Sequence, residues 1–302
     1  MKQASPSFFL PLFLGTRATA VKVYVLGNAE RDGVEAEVER CLPLLRQSVE
    51  VLLIDLRQEA DLSAYPPADL ALVFGGDGAI LRAARQMGYR QIPVLGINLG
   101  RLGFLADIHP HDFNACLLQV LQRSYHVAHH LMFECVIEAQ AAEAVQTFLG
   151  LNEVAVHALP PFRMLDLELE VDGVAVARFS GDGLIVSSPI GSTAHNLSAG
   201  GPILGQELSA FVVTPICPHT LTYRPIVESA EKTFSIRLGR GAENALVVID
   251  GQTTVQVSMQ QRILVRKAPV RFQLVKVPGH SYYQTLRDKL RWGAPPSYRG
   301  EP

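Results

Sequence analysis

Up to about residue 125 the apolar segments alternate between two periods, and beyond it only one of them persists. Residues 21–26 (Val-Lys-Val-Tyr-Val-Leu), 49–54, 70–74 and 92–97 read as short buried strands. Between them, Val34, Val38, Cys41 and Leu45 recur at helical spacing, with Pro43 leaving that helix's end open, and residues 79–85 are helix formers without a breaker. Strand and helix alternating in this way predict parallel βαβ units in an open α/β sheet. After residue 125, strands follow strands. Met164, Leu165, Leu167, Leu169 and Val171 alternate with Asp166, Glu168 and Glu170 up to Asp172-Gly173, a hairpin signal that recurs at Asp250-Gly251. In the tail, Tyr282, Leu286 and Leu290 share one helical face. The expected organisation is an N-terminal extension (1–20), an α/β domain with an open, mostly parallel sheet (21–125), an all-β sandwich-like domain (126–275), and a tail (276–302) that packs back on the first domain.

Composition narrows the functions open to such a chain. Of its 302 residues 48% are hydrophobic and 19% charged, enough apolar material for real cores, which excludes a disordered chain. A net charge of −2 supplies no basic field for nucleic acid. No apolar run reaches the roughly 20 residues that span a bilayer, so no membrane partner is expected. Cys41, Cys116, Cys135 and Cys217 lack paired spacing; reduced thiols in a cytoplasmic protein fit better than a zinc knuckle or a disulfide scaffold. Lys2 followed by seven apolar residues from Phe8 loosely imitates a secretory signal, but the run is short and interrupted by Pro11. A non-structural extension is the expectation.

Chemistry concentrates in two glycine-rich stretches. Gly75-Gly76-Asp77-Gly78 follows the third strand, where ligands bind open α/β sheets, and opens a helix whose amides and dipole suit phosphate. An aspartate there repels phosphate unless it accepts a proton from an attacking hydroxyl or helps to hold Mg²⁺; a capped tight turn is the plainer reading. Neither G-x-x-x-x-G-K-[ST] nor a well-placed G-x-G-x-x-G occurs. Residues 181–202, rich in glycine and hydroxyl side chains, suit ribose, amide or phosphate recognition, or form a long surface loop.

Taken in order, these stretches resemble the NAD kinase family. The matching blocks are residues 75–78, Asn98-Leu99-Gly100-Arg101-Leu102-Gly103-Phe104-Leu105, Asn152-Glu153-Val154-Ala155-Val156-His157, residues 181–202, residues 214–221 with Arg224-Pro225, Asp250-Gly251-Gln252, and Leu286-Arg287-Asp288-Lys289-Leu290-Arg291-Trp292. The resemblance implies transfer of the ATP γ-phosphate to the 2′-hydroxyl of the adenosine ribose of NAD⁺, with Mg²⁺ or another divalent metal accompanying ATP. It makes Asp77 the catalytic residue that takes the hydroxyl proton. It places Gly76, Gly78 and Arg82 near phosphate, Phe104 at the nucleotide, and Asn152 and Glu153 on the adenine nucleotide. Asp182 falls on the nicotinamide half, across a subunit contact of a homodimer or homotetramer. Thr193, Ala194, His195, Asn196, Leu197 and Ser198 line the NAD pocket, and Arg163 and Gln252 hold further nucleotide contacts. No side chain is assigned to metal. A non-catalytic NAD(P)-binding sensor, and a lipid or sugar kinase sharing only the loop, are the alternatives.

This chain departs from the family pattern at Ala79 and Ile190, where threonine is usual, at His195, where tyrosine is, and at Ser180, where some relatives carry arginine. Five histidines (His109, His111, His126, His129 and His130) lack helical metal-ligand spacing and are expected on the surface. His157 and His219 lie inside matched blocks. Glu35, Glu37 and Glu39 with Arg31 and Arg40 are expected to form a solvated helix face, and Trp292 a packing anchor.

Overall fold

A computed structural model describes residues 20–100, 103–106, 108–139, 145–161, 163–239, 244–278, 281–291 and 293. The extension up to residue 19, Arg101, Leu102 and Trp292 lie outside the described residues. The first elements are β1 (Lys22–Gly27), α1 (Val34–Ser48), β2 (Glu50–Asp55), β3 (Leu70–Phe74), α2 (Asp77–Met87), β4 (Val94–Ile97) and α3 (Phe113–Leu121). The four strands are parallel in the order β2-β1-β3-β4. Every residue of β3 is buried, which a strand covered on both faces requires. Its alternate side chains divide accordingly. Leu70, Leu72 and Phe74 pack with α1 and α3, and Ala71 and Val73 pack with α2. Helix α1 continues through Pro43 to Ser48, carrying Val34, Val38, Cys41 and Leu45 on its buried face.

The chain continues with β5 (His126–Ala139), β6 (Gln146–Gly150), β7 (Glu153–Ala158), β8 (Leu165–Val171), β9 (Val174–Gly181), β10 (Gly183–Ser187), the single turn α4 (His195–Ser198), β11 (Ala210–Ile216), β12 (Ile226–Ser229), β13 (Phe234–Leu238), β14 (Asn244–Ile249), β15 (Thr253–Ser258), β16 (Gln261–Lys276) and α5 (Tyr282–Leu290). Strands β5 and β16 pair antiparallel from His126↔Lys276 to Ala139↔Gln261, and Leu274 also pairs parallel with Val94 of β4. One ten-stranded mixed sheet therefore runs from β2 to β9. Its register shifts between Lys267 and Arg271, and Pro269, unable to donate to a ladder, stands at that irregularity.

The second sheet, ordered β12-β11-β10-β7-β14-β15, is antiparallel throughout. It packs on the β5, β8, β13 and β16 part of the first sheet. The shared core includes Phe133, Ile137, Val156, Leu167, Leu184, Phe211 and Phe234, with Phe211 and Phe234 edge to face at 5.7 Å. The architecture is thus an open α/β unit followed by a β-sandwich, as the residue pattern predicts. Both Asp-Gly turns have positive φ at both residues, +50° and +78° at Asp172-Gly173 and +52° and +64° at Asp250-Gly251. That is the twist a two-residue hairpin requires. Helix α5 buries Leu286 and brings Tyr282 to 6.2 Å from Phe104, so the tail returns to the first unit.

One surface expectation and one helix-face expectation need correction. His130 is buried, with its Nδ1 3.2 Å from the Gln206 carbonyl, because successive residues of β5 face opposite sides and His129 takes the exposed one. Arg31 leaves the acidic helix face and lays its guanidinium beside Gly76 and Gly100. Arg40 stays there, paired with Glu37.

Candidate active site

Strand β3 delivers the chain to Gly75, whose amide donates to Ile97 and whose φ of +146° turns the backbone toward α2. A side chain at Gly75 would meet the Ala79 Cβ at 2.8 Å. Asp77, the first residue of α2, therefore projects at the carboxyl edge of the sheet. Its carboxylate accepts three consecutive amides: Phe104 on Oδ2 at 2.8 Å, Leu105 and Ala106 on Oδ1 at 3.0 Å. Asn98 holds the same loop, accepting from the Gly100 amide and donating to the Ala106 carbonyl. Gly103 makes the contact possible, since a Cβ there would lie 2.0 Å from Asp77 Oδ1. Lys289 of α5 places Nζ 3.8 Å from Asp77 Oδ2 and 4.6 Å from the centre of the Phe104 ring.

A second aspartate uses the same device. Asp250, in the β14–β15 turn, accepts the amides of Leu151, Asn152 and Glu153 at 2.9, 2.7 and 3.1 Å. Burial pushes its carboxyl up to about 6, opposed by the three amides and by nearby Arg85. Glu153 is pushed up further, to about 8, by burial and by the Asp250 charge, so at neutral pH its carboxyl carries the proton. The hairpin is tied to α2 at two points: Gln252 Nε2 donates to the Gly78 carbonyl at 2.9 Å, and Arg85 donates to the Thr253 hydroxyl at 2.9 Å. Asn152 Oδ1, Glu153 Oε2 and Gln252 Oε1 are buried without a partner. Unpaired buried polar atoms are few in native proteins, and three on adjoining segments are what a ligand or ordered water would satisfy.

The long glycine-rich stretch is laced to the same dipeptide. The Ser188 amide and the Ser187 hydroxyl donate to the Asn152 carbonyl, and Gly191 packs where a Cβ would meet that carbonyl at 2.2 Å. Asn196 is buried, bonding the carbonyls of Ser192 and Pro202 and the Thr214 hydroxyl, so its side chain locks the loop. His195 stacks on His157 at 5.3 Å; burial and this neighbour hold the His157 ring below its ordinary value. The Thr193 hydroxyl donates to the Ile190 carbonyl, Ala194 links that turn to α4, Leu197 is half-buried and Ser198 exposed.

Gly76, Asp77, Gly78, Phe104, Asn152, Glu153 and Gln252 are thus joined in one network of contacts. Arg82 lies half-buried on α2 close to Arg85, whose guanidinium it perturbs. Arg163 and Asp182 are exposed, the latter accepting from the Cys217 thiol. Ala79 and Ile190 are both buried in the core that packs on α2, where a methyl or branched apolar group fits without a hydroxyl.

Family models for the ATP-NAD kinase N-terminal and C-terminal domains match residues 14–125 and 151–277. An NAD kinase of Rhodopirellula baltica is 43% identical over 271 residues, 90% of this chain and 86% of that one. The chain belongs to the NAD kinase family. It is therefore a phosphotransferase. An NAD kinase of Geotalea daltonii is 41% identical, covering 75% of this chain and 79% of its own. Among solved structures, an NAD kinase from Archaeoglobus fulgidus in complex with ATP shares 31% identity, with a TM-score of 0.73 and coverage of 90% of this chain and 99% of that one. A yeast NADH kinase complexed with NADH shares the fold at a TM-score of 0.85 and 21% identity, over 94% and 90% of the two chains.

Four residues of this NAD kinase family site escape sequence reasoning as functional ones. Asp250 reads as a turn residue, Gly103 as one glycine among many, Arg85 as helix filler, and Lys289 as a surface charge. Gly103, Asp250 and Lys289 leave a signal as members of matched blocks; Arg85 leaves none.

Proposed function

We propose that this chain transfers the γ-phosphate of ATP to the 2′-hydroxyl of the adenosine ribose of NAD⁺, forming NADP⁺ and ADP. The observation that carries this reading is the Gln252–Gly78 hydrogen bond. It fastens a phosphate-type loop to the 151–153 and 250–252 segments, whose buried Asn152, Glu153 and Gln252 oxygens lack partners. A protonated Glu153 offers a donor and an acceptor together, as an adenine edge requires. The Gly76–Gly78 amides and the positive end of α2 face the triphosphate. The complexes of relatives with ATP and with NADH support the substrate pair.

In the transfer, the 2′-oxygen attacks Pγ, the bond from Pγ to the β-bridging oxygen breaks, and ADP leaves with that electron pair. The hydroxyl proton passes to Asp77. Oδ2, which holds one amide where Oδ1 holds two, is the oxygen with room to accept it. Positioning and charge neutralisation supply most of the acceleration in such reactions. No group of three or more metal-binding side chains occurs among the described residues. Mg²⁺ arriving with ATP would bring phosphate and water ligands of its own and need at most one or two protein carboxylates. Bound there, the ion would neutralise the β- and γ-phosphate oxygens.

The reading extends to the assembly and the compartment. Edge strands β9 and β12 leave Val174, Val176, Ile226 and Val227 exposed, in keeping with a homodimer or homotetramer in which Asp182 meets a partner subunit. No helix among the described residues is long and apolar enough to cross a membrane, and the cysteines are free thiols, in keeping with a cytoplasmic enzyme. Within this division of labour, residues 21–125 handle phosphate and 126–275 the dinucleotide.

The deciding experiment incubates purified protein with ATP, Mg²⁺ and NAD⁺ and detects NADP⁺ enzymatically. NADP⁺ formation is expected. Nucleotide binding without turnover would make the chain a sensor, and absence of nucleotide binding would return it to the lipid or sugar kinases.

A further inference from the structure

A carboxylate at the mouth of a phosphate loop creates an electrostatic conflict, because the group that must accept a proton also repels the incoming triphosphate. The fold places one ammonium where it can relieve this. Lys289 lies 3.8 Å from Asp77 Oδ2, the freer of the two carboxylate oxygens, and 4.6 Å above the Phe104 ring. Its helix, α5, is positioned independently of that charge pair. Tyr282 packs on Phe104 at 6.2 Å and donates its hydroxyl to the Leu204 carbonyl at 3.3 Å, while Leu286 is buried. The ammonium stays partly exposed on a flexible four-carbon stem, so it can move by a few ångströms without undocking the helix. Among the described residues, Arg31 also stands beside the loop, against Gly76 and Gly100 rather than against the carboxylate.

We propose that Lys289 is a positioning residue for phosphoryl transfer. In the empty site it is the counter-ion of Asp77. When ATP enters, the ammonium turns from Oδ2 toward the γ-phosphate, which frees that oxygen for the ribose hydroxyl and neutralises the charge between donor and base. The C-terminal helix is thereby part of the phosphate-donor site, and the contact with Phe104 keeps the ammonium over the loop through the exchange. This inference rests on the NAD kinase reading of the same site, and its test separates the two.

The test compares Lys289→Met, which keeps the stem on Phe104 and removes the charge, with Lys289→Arg. Arg287→Met, an equal charge loss at an exposed position on the same helix, is the control. The readouts are kcat, the KM values for ATP and NAD⁺, the calorimetric Kd of ATP, and Tm. Lys289→Met is expected to lower kcat about 30-fold and weaken ATP about 10-fold, with the KM for NAD⁺ within about twofold and Tm unchanged. Lys289→Arg is expected to restore both parameters to within about fivefold, and the control to match the wild type. Kinetics and ATP affinity within twofold of wild type in Lys289→Met would overturn the proposal. So would equal losses in the Met and Arg variants, or a loss that tracks a fall in Tm. Should the wild-type chain form no NADP⁺, the function above fails, while the ATP affinities still decide whether Lys289 serves the phosphate site.

Discussion

Asp77 and Asp250 are held in the same way and differ in almost everything else. Each carboxylate accepts three consecutive backbone amides from a segment distant in sequence, 104–106 for Asp77 and 151–153 for Asp250. Asp77 stands at the cleft with its side chain 29% exposed and a lysine beside it. Asp250 is sealed among β7, β14 and α2 and raised by its burial, and Glu153 beside it is raised first by its own burial and then by the Asp250 charge. The clamp therefore serves two purposes. At the cleft edge it aims an accessible base; in the interior it fixes the peptide that presents Asn152 and Glu153. Burial decides which purpose a three-amide carboxylate can serve, because only an exposed one can exchange a donor for a substrate hydroxyl.

The sharpest test of that distinction changes each aspartate to asparagine. Asp77→Asn is expected to lower kcat by at least ~10²-fold, in the range of lost general-base catalysis, with calorimetric NAD⁺ affinity retained within about threefold. Asp250→Asn is expected to act on the other parameter. Its amide nitrogen faces N–H donors, so the 151–153 peptide loses part of its anchor, at a cost of about 1–3 kcal/mol in unfolding free energy. KM for NAD⁺ should then rise roughly 10-fold, the size of effect that such an energy allows. If Asp250→Asn lost turnover at unchanged KM, the two clamps would not be separable by function.

Gly103→Ala probes the cleft clamp without touching the carboxylate. Its Cβ would fall 2.0 Å from Asp77 Oδ1, so either the carboxylate or the loop must shift. Misplacement on the scale of an ångström at a reacting group is expected to reduce kcat about 10-fold or more. Gly205→Ala, whose Cβ would meet nothing nearer than 3.9 Å, is the matched control. Activity of Gly103→Ala equal to that of the control would show that the observed geometry of Asp77 is not the working one.

The two clamps were unequally legible in the sequence. Asp77 draws attention to itself, since an acidic residue among glycines after an apolar strand reads as a base or metal holder as readily as a turn cap. Asp250 reads as the first residue of an Asp-Gly hairpin, and its φ of +52° bears that reading out. Its second role depends on which backbone amides lie 97–99 residues away, which no local pattern encodes. The α/β alternation and both hairpins follow from periodicity and turn chemistry, and β3 falls on the expected residues. The pairing of β5 with β16 across both units is a long-range match of register and was not readable. His130 is misplaced for a related reason, whereas Arg31 stays exposed and only its place on the helix face is wrong. A charged or polar side chain is assigned to the surface by default, and only tertiary packing shows when a loop or the far face of a strand receives it.

Glu153→Gln addresses the buried clamp through pH, with the smallest expected effect. Glu153 in the folded chain lies near 8 against an ordinary value of 4.5, so the folded state binds its proton more tightly than the unfolded one. A raised carboxyl contributes stability that is fully present below about 4.5 and is lost as pH climbs through 8. Asp250 works in the same direction at lower pH, between its ordinary value and about 6. Glutamine retains a donor and an acceptor but cannot ionise, so the variant should keep its NAD⁺ affinity at neutral pH and lose the slope above pH 6. Between pH 6 and 8 the wild type should lose on the order of 1–2 kcal/mol relative to the variant, read from denaturant midpoints across that range. His130 and His157, whose burial holds them below the ordinary imidazole range, titrate alike in both proteins and cancel in the difference. Parallel profiles would mean that Glu153 is already charged in the fold. The contrast between an accessible base and a sealed, protonated partner would then have to be redrawn.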